Sequence, residues 1–131
     1  MDIEVTFPGG VKVDASYKGF TIKTDQPKEA GGEGSAPNPF DLFLASLATC
    51  AGFFALSFCR DRKLSTEGLK FIQRMEHDEA THRVSKVSIE IILPKDFPDK
   101  YKGAIVKAAE LCKVMKHVQK PPAFEIVATE G

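Results

Sequence analysis

This sequence has few cysteines, no tryptophan and no excess of either charge. Three cysteines in 131 residues are too few for a disulfide scaffold, and the odd number indicates reduced thiols with at most one functional pair. Lys plus Arg and Asp plus Glu both number 18, so the formal net charge is zero, which argues against a general nucleic-acid binder. Residues 1–7 lack the basic and apolar regions of a signal peptide, so we expect a cytoplasmic protein.

The composition is that of an ordinary globular domain. Hydrophobic residues make up 43% and charged residues 27%, which excludes a disordered chain. The length fits one hydrophobic core, so we expect a single domain over residues 1–131.

One long stretch without charge, from Leu42 to Cys59, dominates the middle of the chain. A membrane span is the alternative that its length raises. However, eight of its residues are Ala, Gly, Ser or Thr, and the alternating segments on either side need an apolar surface to cover. The stretch therefore predicts a buried central helix, with Asn38 as its N-cap and Pro39 at its first position.

Apolar residues at every second position, separated by turn residues, predict strands at 3–7, 11–13, 20–22, 69–77, 87–93 and 124–128. A second helix is predicted from Pro98 to the prolines at 121 and 122, with one apolar face formed by Tyr101, Ile105, Ala108, Cys112 and Met115. The resulting order is βββ-α-ββ-α-β, an α+β fold. The polar, glycine-rich loop over 25–37 is either the rim of an active site or a mobile connector.

The three cysteines differ in their predicted surroundings. Cys50 and Cys59 are nine residues apart on one helix, or about 900° at ~100° per residue, so they point to opposite sides and cannot pair. Cys50 shares a face with large apolar residues, whereas Cys59 extends a stripe of small residues that allows close packing, formed by Ala45, Ala48, Gly52 and Ala55. Cys112 lies on the inward face of the second helix and could meet Cys50, although buried cysteines are often only small apolar residues.

Other site chemistries find little support. There is no CxxC motif, and the histidines show no ligand spacing with the cysteines, so we expect no zinc site and no bound cofactor. The segment GGEGSAP lacks the Lys-Ser/Thr end of a phosphate-binding loop.

The segment GGEGSAPNPFDLFLASLATC, from Gly31 to Cys50, resembles the motif of the OsmC/Ohr family, the osmotically inducible protein C and organic hydroperoxide resistance proteins. The shared pattern is a glycine-rich loop, Asn-Pro, and an apolar helix with a cysteine eleven residues after the proline. The segment LCKVMK around Cys112 resembles the family's second-cysteine segment, and the order of elements agrees over essentially the whole chain.

This resemblance implies an intertwined homodimer with two active sites at the subunit interface. It also implies a thiol-dependent peroxidase that acts on organic or hydrogen peroxides in oxidative-stress defence. Cys50 corresponds to the peroxidatic thiol and Cys112 to the resolving thiol, and an external dithiol reduces their disulfide. No membrane or nucleic-acid partner is implied.

Two positions depart from the family's hydroperoxide-reducing members. Those members carry Glu directly after Asn-Pro, where this chain has Phe40 and its carboxylate follows at Asp41. They also use an N-terminal Arg to hold the thiolate, whereas this chain has no Arg before Arg60. Asp41 is therefore either a site residue or a helix-start acid, and Lys18 is the favoured substitute cation, able to swing toward a neighbouring subunit.

Two other functions remain open from the residues. The chain could be a dimeric module that binds an apolar small molecule with inert, structural cysteines. It could also be a structural dimer without chemistry. A reactive Cys50, alkylated well below the pH expected for an unperturbed thiol of pKa ~8.5, distinguishes the enzyme from both.

Overall fold

The computed structural model describes all 131 residues, from Met1 to Gly131, and has five strands and three α-helices. The strands are β1 (Glu4–Gly9), β2 (Lys12–Tyr17), β3 (Phe20–Thr24), β4 (Lys70–His77) and β5 (Val84–Ile92). The helices are α1 (Pro39–Asp61), α2 (Lys102–Ala109) and α3 (Lys113–Gln119), and short 3-10 helices lie at Lys28–Ala30 and Asp99–Tyr101. The chain divides into two compact units, Met1–Ala45 and Ser46–Gly131. The predicted α+β class is confirmed.

The N-terminal unit contains the predicted meander, in which β1, β2 and β3 pair antiparallel in chain order. Tyr17 pairs with Phe20, so the turn between β2 and β3 has only two residues, Lys18 and Gly19. Both have positive φ angles, 45° and 81°, as a two-residue hairpin turn of this twist requires. Lys18 is exposed at the tip of this turn.

The loop after β3 is organised around the buried carboxylate of Asp25. Its oxygens accept hydrogen bonds from the backbone N–H groups of Gln26, Glu33 and Ser35 and from the Ser35 hydroxyl, the last at 2.6 Å. Gly32 has no room for a side chain, because a Cβ there would lie 2.0 Å from the carbonyl oxygen of Gln26. Local hydrogen bonds therefore hold this glycine-rich segment in one conformation.

Helix α1 begins as the sequence predicts. Pro39 is its first residue, and the Asn38 side chain accepts a hydrogen bond from the Asp41 N–H at 2.8 Å. By length and composition α1 could cross a membrane, a property that core helices of soluble proteins share. Ala51, Ala55 and Cys59 have no exposed surface, which favours the core-helix interpretation. The buried face of the helix includes Ala51, whereas Ala48 and Gly52, which belong to the predicted stripe of small residues, are partly exposed.

The C-terminal unit packs the second half of α1 with the β4–β5 hairpin, which is confirmed and antiparallel. One core cluster consists of Ala55, Phe58, Cys59, Phe97 and Ile105. A second cluster, named the thiol cluster here, has buried Ala51, Ala109 and Cys112, with Cys50, Phe71, Ile89, Ile91, Val114 and Met115 packed against it.

Two predicted elements are wrong. The second helix is interrupted between Ala109 and Lys113, because Cys112 adopts a non-helical backbone (φ −45°, ψ 119°) and caps α3 instead of continuing α2. The predicted strand at 124–128 is not formed. A strand needs hydrogen bonds from a neighbouring strand, and residues 121–131 pair with none; the Phe124 and Ile126 side chains are 87% and 98% exposed.

Candidate thiol site

Cys50 and Cys112 meet in the thiol cluster, although 62 positions separate them in the sequence. Helix α1 supplies Cys50, which is half-buried, and the α2–α3 junction supplies Cys112, which has no exposed surface. All three cysteines are free thiols. The pair therefore combines one cysteine that is partly exposed with one that is fully buried.

Cys112 is held by two hydrogen bonds. Its Sγ accepts from the Met115 N–H at 3.4 Å, as an N-cap does, and its one thiol proton is shared between two acceptors, the Leu47 carbonyl oxygen at 3.6 Å and the Cys50 sulfur. Burial raises the pKa of Cys112, and the adjacent Cys50 sulfur raises it further, while the Met115 and Val114 N–H groups lower it less. Cys112 therefore stays a protonated thiol.

The pKa of Cys50 is displaced in the opposite direction. Burial acts to raise its pKa, but hydrogen bonds from the Val114 N–H, the Cys112 thiol and the Lys113 N–H, with the charge of Lys113, outweigh burial and lower the pKa overall. Two touching groups whose pKa values are displaced in opposite directions are suited to different roles. Cys50 is thus the more acidic thiol of the pair and the better suited to act as a nucleophile, whereas Cys112 is the less acidic one.

Cys59 belongs to the other core cluster and is fully buried. Burial raises its pKa, and the charge of Arg62 offsets this only in part. Its surroundings are those of a structural cysteine, as its position in the small-residue stripe indicates.

The other two predicted site residues belong to the N-terminal unit. Asp41 is exposed in the first turn of α1, where its backbone N–H binds the Asn38 cap. It precedes Cys50 by nine residues on one helix, so the two side chains point to opposite sides. Lys18 is exposed at the β2–β3 turn, and Lys12, the first residue of β2, pairs with Glu33.

Lys113 is the site residue that the sequence reasoning missed. The resemblance implies an activating cation on the N-terminal strands, whereas Lys113 lies directly after Cys112 in the sequence. The available signal was adjacency: if Cys112 meets Cys50, the residue after Cys112 must lie near Cys50 too. The amide groups of Lys113 and Val114 carry no sequence signal, because every residue but proline has an N–H.

An apolar cavity of about 200 Å³ adjoins the thiol cluster. Five of its lining residues belong to that cluster, and the other two, Val106 and Glu110, come from α2 and its C-terminal end. The full lining is Ala51, Ile89, Ile91, Val106, Ala109, Glu110 and Met115. The cavity is below the ~300–1,000 Å³ of sites for drug-sized ligands, so it suits a short alkyl or aryl group. No group of three or more His, Cys, Asp or Glu side chains is arranged to hold a metal ion.

The family model described as OsmC-like protein matches residues 32–127, a span that includes both cysteines of the pair. The chain belongs to the OsmC-like protein family. Among curated proteins, none matches the sequence.

Solved structures with the same fold agree with this OsmC-like membership. A candidate osmotic stress induced and detoxification response protein from Psychrobacter arcticus is 28% identical, with a TM-score of 0.74 over 87% of this chain and 85% of that one. The organic hydroperoxide resistance protein OsmC from Legionella pneumophila is 21% identical, with a TM-score of 0.57 over 91% of this chain and 90% of that one. The OhrB protein of Bacillus subtilis is 20% identical, with a TM-score of 0.52 over 92% of this chain and 93% of that one.

The resemblance to the OsmC/Ohr family, which the segments around Cys50 and Cys112 carry, is thus confirmed for family and fold. The TM-score is higher for the Psychrobacter protein than for the two hydroperoxide resistance proteins.

Proposed function

We propose that this protein is a thiol-dependent peroxidase that reduces organic or hydrogen peroxides in oxidative-stress defence, with Cys50 as the peroxidatic and Cys112 as the resolving thiol. The observation that carries the proposal is the contact of these two sulfurs with opposite displacement of their pKa values. Membership of a family that includes organic hydroperoxide resistance proteins supports it.

The reaction follows from the two protonation states. The Cys50 thiolate attacks the outer oxygen of the hydroperoxide, the O–O bond breaks, and the alkoxide leaves and takes up a proton to become an alcohol. Cys50 is then a sulfenic acid. The Cys112 thiol attacks that sulfur, water leaves, and a Cys50–Cys112 disulfide forms. An external dithiol supplies the two electrons that restore both thiols.

The cavity supports an organic peroxide as substrate. Its wall shares Ala51, Ala109 and Met115 with the cluster that holds the thiols, so an apolar tail seated there would contact residues that pack around the thiol pair. A short alkyl or aryl tail fits about 200 Å³.

The remaining parts of the proposal concern assembly and the two N-terminal residues. We propose a homodimer, because the family resemblance implies paired active sites at a subunit interface, and a cytoplasmic location, because the three cysteines are free thiols and thiols stay reduced in the cytosol. In that dimer Lys18 of one chain would approach Cys50 of the other. Asp41, at the start of α1, would be a further residue of the active site.

The test adds one equivalent of cumene hydroperoxide to the reduced protein and maps disulfides by mass spectrometry. We expect a Cys50–Cys112 disulfide in the wild type and in Cys59→Ala. In Cys112→Ser, Cys50 should remain a sulfenic acid that dimedone traps, and Cys50→Ser should not react. Unchanged thiols in the wild type after hours of exposure would contradict the proposal.

A second function is favoured by the same cavity: a dimeric module that binds an apolar small molecule, with the cysteines structural. In that case Cys50 would be alkylated no faster than an ordinary thiol, while short aromatic alcohols would bind and shift the NMR signals of Ala51 and Met115. Peroxide-driven disulfide formation would exclude this alternative.

A further inference from the structure

Helix α3 carries a stripe of basic side chains that begins beside Cys50. Lys113, Lys116, His117 and Lys120 recur at spacings of three, four and seven, so they share one helical face, and all four are exposed. The opposite face holds Val114 and Met115, which pack against the thiol cluster. The stripe thus starts at the residue whose charge acts on Cys50 and runs along the surface away from it.

The charge of this stripe is not neutralised within the chain. The ion pairs of the structure lie elsewhere and join Lys12 to Glu33, Arg74 to Glu90, Lys86 to Glu76 and Lys102 to Asp99. Between residues 100 and 120 the sequence has six lysines and one acidic residue, Glu110. A protein with zero net charge has therefore concentrated positive charge on the segment that contains the buried Cys112.

The burial of the two sulfurs decides where a disulfide between them can be attacked. Cys112 has no exposed surface, whereas Cys50 is half-buried. An incoming thiolate must therefore reach Cys50 Sγ, where α3 begins. That nucleophile is an anion, and cations along its approach raise its local concentration and its rate of encounter.

We propose that the basic stripe of α3 docks the reducing partner, a dithiol protein with acidic side chains next to its thiols. The inference deepens the proposed function, since the disulfide is the one formed in that reaction. The stripe is about 10 Å long at 1.5 Å per residue, which suits an acidic surface patch better than a single carboxylate. The peroxide's tail has a separate apolar cavity, whose one charged lining residue is the acidic Glu110.

The exchange proceeds in two steps. A partner thiolate attacks Cys50 Sγ, the Cys50–Cys112 bond breaks, and Cys112 leaves as a thiolate that takes a proton. The partner's second thiol then attacks the mixed disulfide, releases Cys50 and closes the partner's own disulfide. Two electrons pass from the partner to the protein, so atoms and electrons balance.

The test uses three synthetic dithiol peptides of equal length, each with Cys-Gly-Gly-Cys flanked by four Glu, four Gln or four Lys residues. The disulfide form of the protein is prepared with diamide, so that this readout does not depend on peroxide reactivity. At low ionic strength we expect the Glu peptide to reduce the protein roughly tenfold faster than the Gln peptide, and the Lys peptide to be slowest. At 1 M salt, where the Debye length is about 3 Å, the three rates should converge.

The double variant Lys116→Gln/Lys120→Gln should lose most of the advantage of the Glu peptide while keeping its rate with dithiothreitol, which carries no charge. The matched control is Lys23→Gln/Lys28→Gln, which removes two exposed lysines of the N-terminal unit and should behave as the wild type.

Equal rates with the three peptides would overturn the inference while leaving peroxide reduction intact. If the stripe variant lost only retention on anionic lipid vesicles, the stripe would belong to a membrane surface instead. Failure of diamide to form the Cys50–Cys112 disulfide would overturn both proposals, whereas a diamide disulfide without a peroxide reaction would sink only the proposed function.

Discussion

The pKa of Cys50 is set by a competition between neighbouring groups at the scale of single residues. Burial disfavours its thiolate, and the Val114 and Lys113 N–H groups, the Cys112 thiol and the Lys113 charge favour it more strongly. The charge of Lys113 can be removed by substitution while the backbone and both thiols stay in place. We expect Lys113→Met to raise the pKa of Cys50 and to slow its alkylation by iodoacetamide at pH 7, and Lys113→Arg to keep the wild-type profile.

Lys18→Met is the matched comparison, because Lys18 is the cation that the sequence favours. Iodoacetamide rates are measured between pH 5 and 10 for each variant. A raised pKa in Lys18→Met with none in Lys113→Met would show that the activating charge comes from the N-terminal strands, in agreement with the sequence-based expectation and against the contribution of Lys113.

Cys59 offers a contrasting prediction at the same scale. It is fully buried in a core cluster apart from the thiol pair, so Cys59→Ala removes one sulfur from a packed site. We expect the free energy of unfolding to decrease by about 1 kcal/mol, the typical cost of a small truncation. The Cys50–Cys112 disulfide should still form. Chemical denaturation measures the first and mass spectrometry the second. A loss of peroxide reactivity as large as in Cys50→Ser would refute this assignment.

The sequence predicted that Cys50 and Cys112 could meet, and it missed the groups of Lys113 and Val114 that lower the pKa of Cys50. Helical spacing separated Cys50 from Cys59, and the inward face of the second helix pointed to Cys112. The amide groups that stabilise the Cys50 thiolate became available only because the helix breaks at Cys112. That break depends on tertiary packing, and no Gly or Pro marks it in the sequence.

At the scale of elements, the loop after β3 depends on the ionised carboxylate of Asp25. The hydrogen bonds to this carboxylate hold the pKa of Asp25 well below its ordinary value of about 3.9, and the Ser35 hydroxyl makes the largest contribution. A depressed folded pKa contributes stability above the unfolded pKa, and that contribution is lost as the pH falls below it. We therefore expect the wild type to lose thermal stability as the pH decreases from about 4.

Asp25→Asn tests this loop directly. Asparagine presents one acceptor oxygen instead of two and no charge, so the melting temperature of the variant should be lower than that of the wild type at pH 7. The difference in melting temperature should be smaller at pH 2.5. Calorimetry at both pH values measures the difference. The control Asp14→Asn removes a carboxylate from the middle of β2, outside this loop, and a gap independent of pH in Asp25→Asn would contradict the proposed origin of the effect.

Elements with local signals were predicted well. The Asn-Pro start of α1, the alternating strands and the two-residue turn at Lys18 and Gly19 each follow from residue types within a few positions. The C-terminal segment fails for the opposite reason. Its alternation of Phe124 and Ile126 is that of a strand, but a strand forms only against a neighbour, and the chain provides none.

At the scale of the whole molecule, α1 carries more apolar surface than the chain covers. Phe53 is 60% exposed, and Leu56 is exposed on the same side of the helix as Gly52. Exposed apolar surface of this kind is typical of an interface between subunits. It supports the expectation of a homodimer, which the small residues of α1 already indicate.

Gly52 provides the test of that expectation. A Cβ at this position meets no atom within 4 Å in the chain, so Gly52→Leu has room in the monomer and improves helix propensity by about 1 kcal/mol. Circular dichroism should therefore show a folded helix. If another helix packs closely on this face in a dimer, the leucine side chain blocks that approach, and light scattering should show a shift from dimer to monomer, with Gly52→Ala affected least. A wild type that is a folded monomer at micromolar concentration, or a Gly52→Leu variant that stays fully dimeric, would place the interface elsewhere.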